Sequence, residues 1–107
     1  MSEIDGIITV DNEGYITFVN ARAVEMFGYP PDELLGKPVE VLIPERFREI
    51  HCKHGEEYAV NPQIRPMGIG KDHYGLRKDG TEFLVNISLV PTWTGGQLFV
   101  TATVRDV

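Results

Sequence analysis

In Thr81-Glu82-Phe83-Leu84-Val85-Asn86-Ile87-Ser88-Leu89 the apolar residues Phe83, Val85, Ile87 and Leu89 fall at every second position. That is the period of a β-strand and not of a helix. Lys78-Asp79-Gly80 ahead of the run carries turn chemistry, and residues 67–77 before it can extend as a further strand. Behind it Gly95-Gly96 turns again, after which Leu98, Val100, Ala102 and Val104 repeat the alternation in a last strand. The C-terminal part of the chain therefore reads as three antiparallel strands.

Upstream the period changes. From Ile43-Pro44-Glu45, the residues Phe47, Ile50, His51, His54 and Tyr58 recur at steps of three and four, before Asn61-Pro62 closes the segment. This predicts a helix with two histidines on its apolar face. Pro30-Pro31-Asp32-Glu33 places prolines and acids where a first helical turn prefers them, with Gly36 as a stop. Asn20 can cap a short helix that runs through Phe27 to Gly28. At the N-terminus, Ile7 to Val10 and Tyr15 to Val19 flank the turn residues Asp11-Asn12-Glu13-Gly14, as in a hairpin. Two strands, several short helices and three strands imply an α+β fold, a five-stranded antiparallel sheet with the helices packed on one face. The other side of the last strands still holds Leu84, Val90 and Phe99, whereas a solvated sheet face should be polar. A covering partner chain or flanking helix is the expectation.

Composition bounds the function. The 107 residues suit one domain, here residues 1–107, and 42% hydrophobic residues suffice for a packed core. Ten Lys plus Arg against sixteen Asp plus Glu give a net charge of −6, which argues against nucleic acid and membrane as partners. Cys52 is the single cysteine, so no internal disulfide forms. No apolar run approaches a membrane span, and Met-Ser-Glu-Ile-Asp does not begin a signal peptide. A cytoplasmic setting is expected.

Ile8-Thr9-Val10-Asp11, Gly14-Tyr15-Ile16, Phe18-Val19-Asn20, Phe27-Gly28-Tyr29 and Asp32-Glu33-Leu34-Leu35-Gly36-Lys37, in this order, resemble the first half of a PAS domain. Arg65-Pro66-Met67-Gly68, Arg77-Lys78-Asp79-Gly80-Thr81-Glu82-Phe83 and Val104-Arg105-Asp106-Val107 are similar to its second half. The resemblance implies a PAS fold and a non-catalytic sensory and dimerising module, cut from a larger bacterial signalling protein such as a two-component histidine kinase or a cyclic-dinucleotide enzyme. It implies a homodimer whose output passes through a following helix to an effector domain of the same chain. It also implies an ion pair between Glu33 and Lys78, and a cap by Asn20 at the end of the second strand. Read from the residues alone, Glu33 and Lys78 are a surface pair worth about 0 to 1 kcal/mol.

A narrower resemblance is to the oxygen-sensing haem PAS domains of nitrogen-fixation sensor kinases. It runs from Pro44 to Asp106 through Arg48, His51, Gly68-Ile69-Gly70 and Asp79-Gly80-Thr81. It implies haem as cofactor, with His51 as proximal iron ligand and Arg65 facing a propionate. Val85, Ile87, Leu89, Val100 and Ala102 would form an apolar wall around the gas. The chain departs from that subfamily at Glu57 and Lys71, where arginines are expected, and at Pro66 and Met67, where slim aliphatics are expected. The residues favour the plainer reading, in which His51 and His54 hydrogen-bond backbone carbonyls after their helix. The native cofactor stays open between haem, another small-molecule ligand and none.

Other chemistries are not indicated. Cys52 points about 100° away from the His51 and His54 face, and His73 is distant, so a zinc set does not converge. Flavin photochemistry would need a reactive cysteine in an Asn-Cys-Arg-Phe-like helix, which is missing. Gly68-x-Gly70 lacks the third glycine and the following helix of a dinucleotide fingerprint. Ser2 and Ser88 have no neighbouring base.

Overall fold

The computed structural model describes residues 5–45, 47 and 73–106. Its strands are β1 (Gly6–Asp11), β2 (Ile16–Val19), β3 (His73–Leu76), β4 (Glu82–Thr94) and β5 (Gln97–Asp106), with helices α1 (Ala21–Phe27) and α2 (Pro31–Leu34) after β2. They form one sheet in the order β2-β1-β5-β4-β3, every pairing antiparallel. The α+β reading with a five-stranded antiparallel sheet therefore holds. The first and last strands of the chain lie side by side at its centre.

Local chemistry explains the boundaries. Asp11 Oδ1 accepts from the backbone N–H of Glu13 at 2.9 Å and of Tyr15 at 3.0 Å, and Gly14 takes φ +87°, so the β1–β2 turn is closed by an Asx motif and a left-handed glycine. The Asn20 side chain caps α1 by accepting from Ala23 N–H at 2.9 Å. Gly28, at φ +77°, ends α1 with its N–H on the Val24 carbonyl. α2 has Pro31 in its first turn with Asp32 and Glu33, where the helix dipole favours acids.

The outer edge of β2 is covered at Ile16 by the chain that follows α2. Gly36 N–H donates to the Ile16 carbonyl at 2.8 Å, and Ile16 N–H to the Lys37 carbonyl at 2.9 Å. Both backbone groups of Ile16 on the outer side of β2 are thus paired, which shortens the edge open to foreign strands. A 3-10 turn then spans Val39–Leu42. Its alternating sequence gives no helical signal, and it is held by burial of Leu42 in the core.

Ile8, Ile16, Ala23, Met26, Phe27, Leu34, Leu42, Phe83, Val85 and Val104 form that core between the sheet and the short helices. The Phe27 and Phe83 rings meet edge to face with centroids 5.2 Å apart. The turn after β3 is fastened to the end of α1, since Lys78 N–H donates to the Phe27 carbonyl at 2.9 Å and Arg77 Nε to the Met26 carbonyl at 3.1 Å. Two otherwise unsatisfied helix carbonyls are so accounted for.

β4 runs on through Pro91 to Thr94, further than the alternation ending at Leu89 suggests. β3 pairs only with Glu82–Val85, so at Pro91 one side of β4 has no partner strand among the described residues. A missing N–H is tolerated at such a place. Of the helix read from Pro44 onward, the described part is its start, where Phe47 N–H donates to the Pro44 carbonyl at 2.9 Å.

Candidate functional site

Residues directly opposite each other in an antiparallel ladder share a face. Ile87 faces Val104, Leu89 faces Ala102, and Ala102 faces Ile8 on the other side. One rung further, Pro91 faces Val100 and Val100 faces Val10. Val85, Ile87, Leu89, Val100 and Ala102 therefore lie together on the sheet face that carries the core residues Ile8, Phe83 and Val104. Strand alternation alone brings these five side chains to one wall.

The wall is graded along the strands. Val85 is 1% exposed, Ile87 and Ala102 are partly buried against the core, and Leu89 and Val100 are half-buried. Past them Trp93, opposite Leu98, is 61% exposed. The sheet thus offers an apolar surface sealed at Val85 and half-buried at Leu89 and Val100, ending on the β4 side at the exposed Trp93, while Leu98 across from it is 4% exposed. Val10, Pro91 and Trp93 belong to this surface and were missed in the sequence reading. Continuing the alternation past Leu89 to 91 and 93 would have found two of them.

His51 and Arg65 lie outside the described residues, as do Cys52, His54, Glu57 and Lys71. Among the described residues no group of three metal-ligating side chains comes together.

The opposite face carries the other parity. Leu84 faces Tyr74, Val90 faces Thr101, and Phe99 lies between Thr92 and Asp11. Thr9 faces Phe18 on one side and Thr101 on the other, with their hydroxyls 3.2 Å apart. Val90 is 42% exposed and Phe18 50%, while Leu84 and Phe99 are half-buried. This is a central hydroxyl patch rimmed by apolar side chains.

Two polar sites tie the helices to the sheet. Lys78 Nζ lies 2.7 Å from Glu33 Oε1 and 2.9 Å from Oε2, linking the β3–β4 turn to α2. Asn20 is 8% exposed; its Oδ1 accepts from Ile7 N–H and Ala23 N–H, each at 2.9 Å, and its Nδ2 donates to the Asp5 carbonyl at 3.1 Å. In the adjoining turn, hydrogen bonds from the Thr81 hydroxyl and then from its backbone N–H hold the Asp79 carboxyl below the usual carboxylate range.

Comparison with known proteins settles the family. A PAS domain family model matches residues 4–107. The chain belongs to the PAS family. This PAS domain is 32% identical over 102 residues to sensor protein FixL of Bradyrhizobium diazoefficiens, covering 95% of the chain and 20% of FixL. It is 24% identical over 101 residues to oxygen sensor protein DosP of Escherichia coli, covering 94% of the chain and 13% of DosP. The chain thus spans a fifth or less of these two relatives. Among solved structures, the PAS domain of a protein from Colwellia psychrerythraea superposes with a TM-score of 0.83 at 21% identity, over 98% of this chain and 87% of that one. A PAS domain is a sensory, regulatory module, and its likeness here is to parts of sensor proteins. No helix among the described residues is long and apolar enough to cross a membrane.

Proposed function

We propose that this PAS domain is the non-catalytic, dimerising input module of a cytoplasmic bacterial signalling protein, and that it relays the state of a small ligand or partner to an effector in the same chain. That effector would be a histidine kinase or a cyclic-dinucleotide enzyme. The observation that carries the reading is the two-sidedness of β4 and β5. One parity, from Val85 to Val100, forms the graded apolar wall, and the other, through Leu84, Val90 and Phe99, forms the outer patch. A ligand that prefers one arrangement of the wall would bias the same two strands that a partner grips from behind.

The test is sedimentation of wild type against Phe99→Asp. A charge placed in a self-complementary patch should convert a dimer to a monomer, since a stable interface needs about 800 Å² per partner. Monomeric wild type, or a Phe99→Asp dimer as tight as wild type, would reject the outer face as an interface.

A second reading, haem-based gas sensing, is favoured by the likeness to a protein named as an oxygen sensor. The described wall is apolar throughout, which fits a porphyrin as it fits other apolar ligands. His51 would hold the iron and Arg65 a propionate. Haem would supply a ferrous iron with one position left for a diatomic gas. Reconstitution with hemin should then give a Soret band that His51→Ala abolishes; wild type that gives none removes this reading.

A further inference from the structure

Asp5 and Arg105 stand 100 positions apart and meet where the first and last strands end. Gly6 and Val104 form the last rung of the β1–β5 ladder, and Asp5 and Arg105 are the residues immediately outside it in sequence. Arg105 Nε donates to Asp5 Oδ1 at 3.0 Å and Nη2 to Oδ2 at 3.2 Å, a two-pronged contact that fixes orientation as well as distance. The same Asp5 gives its carbonyl to Asn20 Nδ2, and Asn20 in turn holds Ile7 and Ala23. From the first turn of α1, Arg22 Nη2 comes within 3.9 Å of Asp106 Oδ2. The polar contacts close a ring through the start of β1, the start of α1 and the end of β5.

We propose that this ring is a clamp between the two ends of the domain, so that chain running into β1 and chain leaving β5 are held as one joint and releasing either side loosens the other. Its placement suits reversible opening. The Arg105 side chain is 55% exposed, whereas one residue inward Val104 is 3% exposed in the core. The fork can therefore part without unpacking the sheet, and a flanking segment or partner that captures Asp5 or Arg105 would reach the other end of the domain through it. The proposal requires neither a ligand nor a dimer and stands apart from the function proposed above.

Residue-resolved amide exchange of the 107-residue chain tests it, comparing wild type with Asp5→Asn, Arg105→Gln, the double variant and the charge swap Asp5→Arg with Arg105→Asp. Arg105→Gln should speed exchange at Ile7 and Ala23, and Asp5→Asn should speed it at Arg105 and Asp106, each by about three- to ten-fold. The double variant should exchange no faster than the faster single, and the swap should return toward wild type. Unchanged exchange at Ile7 and Ala23 in Arg105→Gln overturns the clamp. So does an equal acceleration at Ile87, which would report general destabilisation.

Discussion

Gly75 lies directly across the β3–β4 ladder from Phe83, and a Cβ placed on it would come within 2.8 Å of the Phe27 ring and 2.9 Å of the Phe83 ring. The edge-to-face aromatic pair is thus seated on bare backbone. A side chain at this point must displace a packed ring in the core, and interiors at crystal-like density yield little. Gly75→Ala is expected to destabilise the fold by about 1–3 kcal/mol. Urea unfolding measures it, and a variant as stable as wild type would show that the rings give way freely.

Asn20 satisfies three backbone groups with one buried amide. Asn20→Ala leaves the N–H groups of Ile7 and Ala23 and the carbonyl of Asp5 without that partner, for an expected loss of about 1–3 kcal/mol. Asn20→Asp keeps the acceptor for both N–H groups but turns a second oxygen toward the Asp5 carbonyl. It should fall between alanine and wild type at neutral pH. Alanine and aspartate variants of equal stability would mean that the cap contributes through shape alone.

Glu33 and Lys78 make a close pair, yet their side chains are 45% and 49% exposed. Water screens such a pair, so a double-mutant cycle with Glu33→Ala and Lys78→Ala should give a coupling below about 1 kcal/mol that shrinks as salt is added. Lys78→Ala retains the backbone bond to Phe27, so the turn should stay docked. A coupling that salt does not touch would contradict this account.

The legible parts of the fold are those where a short-range signal agrees with the tertiary demand. Alternation at 83, 85, 87 and 89 and at 98, 100, 102 and 104 assigns both faces of β4 and β5, because the strand period is two and one face is buried. Asn20 and Gly28 bracket α1 through bonds that need only neighbouring backbone. Val39-Glu40-Val41-Leu42 alternates like a strand and is nonetheless a 3-10 turn, since Leu42 is drawn into the core. Pro91 hid the second half of β4, because its tolerance depends on where β3 stops. The contact between Asp5 and Arg105 has no local signature at all. The Glu33–Lys78 position came from family likeness and not from spacing. Of the candidate site, alternation supplies Val85, Ile87, Leu89, Val100 and Ala102, whereas Val10 joins that face only through the pairing of β1 with β5, and His51 and Arg65 fall outside the described residues.

Leu89 and Val100 stand at the open half of the wall, half-buried and without a place in the main core. Val85, by contrast, is sealed within it. Val85→Ala should therefore cost about 1–3 kcal/mol by leaving a cavity, and Leu89→Ala clearly less. Leu89→Trp should leave folding intact while abolishing retention of any small molecule seen by native mass spectrometry of the wild type. A ligand retained unchanged beside Trp at position 89 would place binding elsewhere.

Asp79 gives the turn between β3 and β4 a pH dependence whose sign can be worked out. The Thr81 hydroxyl and N–H favour its ionised form in the folded state, so the folded carboxyl loses its proton at lower pH than the unfolded one. The stability it contributes is fully present above the unfolded value, about 3.9, and disappears as pH falls through the folded value. Thr81→Val removes the hydroxyl, the larger cause, and should bring the Asp79 carboxyl back up toward the ordinary range in a carbon-detected NMR titration. Asp79→Asn should flatten the fall in stability below about pH 4 relative to wild type. An Asp79 carboxyl titrating at or above the ordinary value in wild type would show that these two hydrogen bonds do not discriminate between its charged and neutral forms.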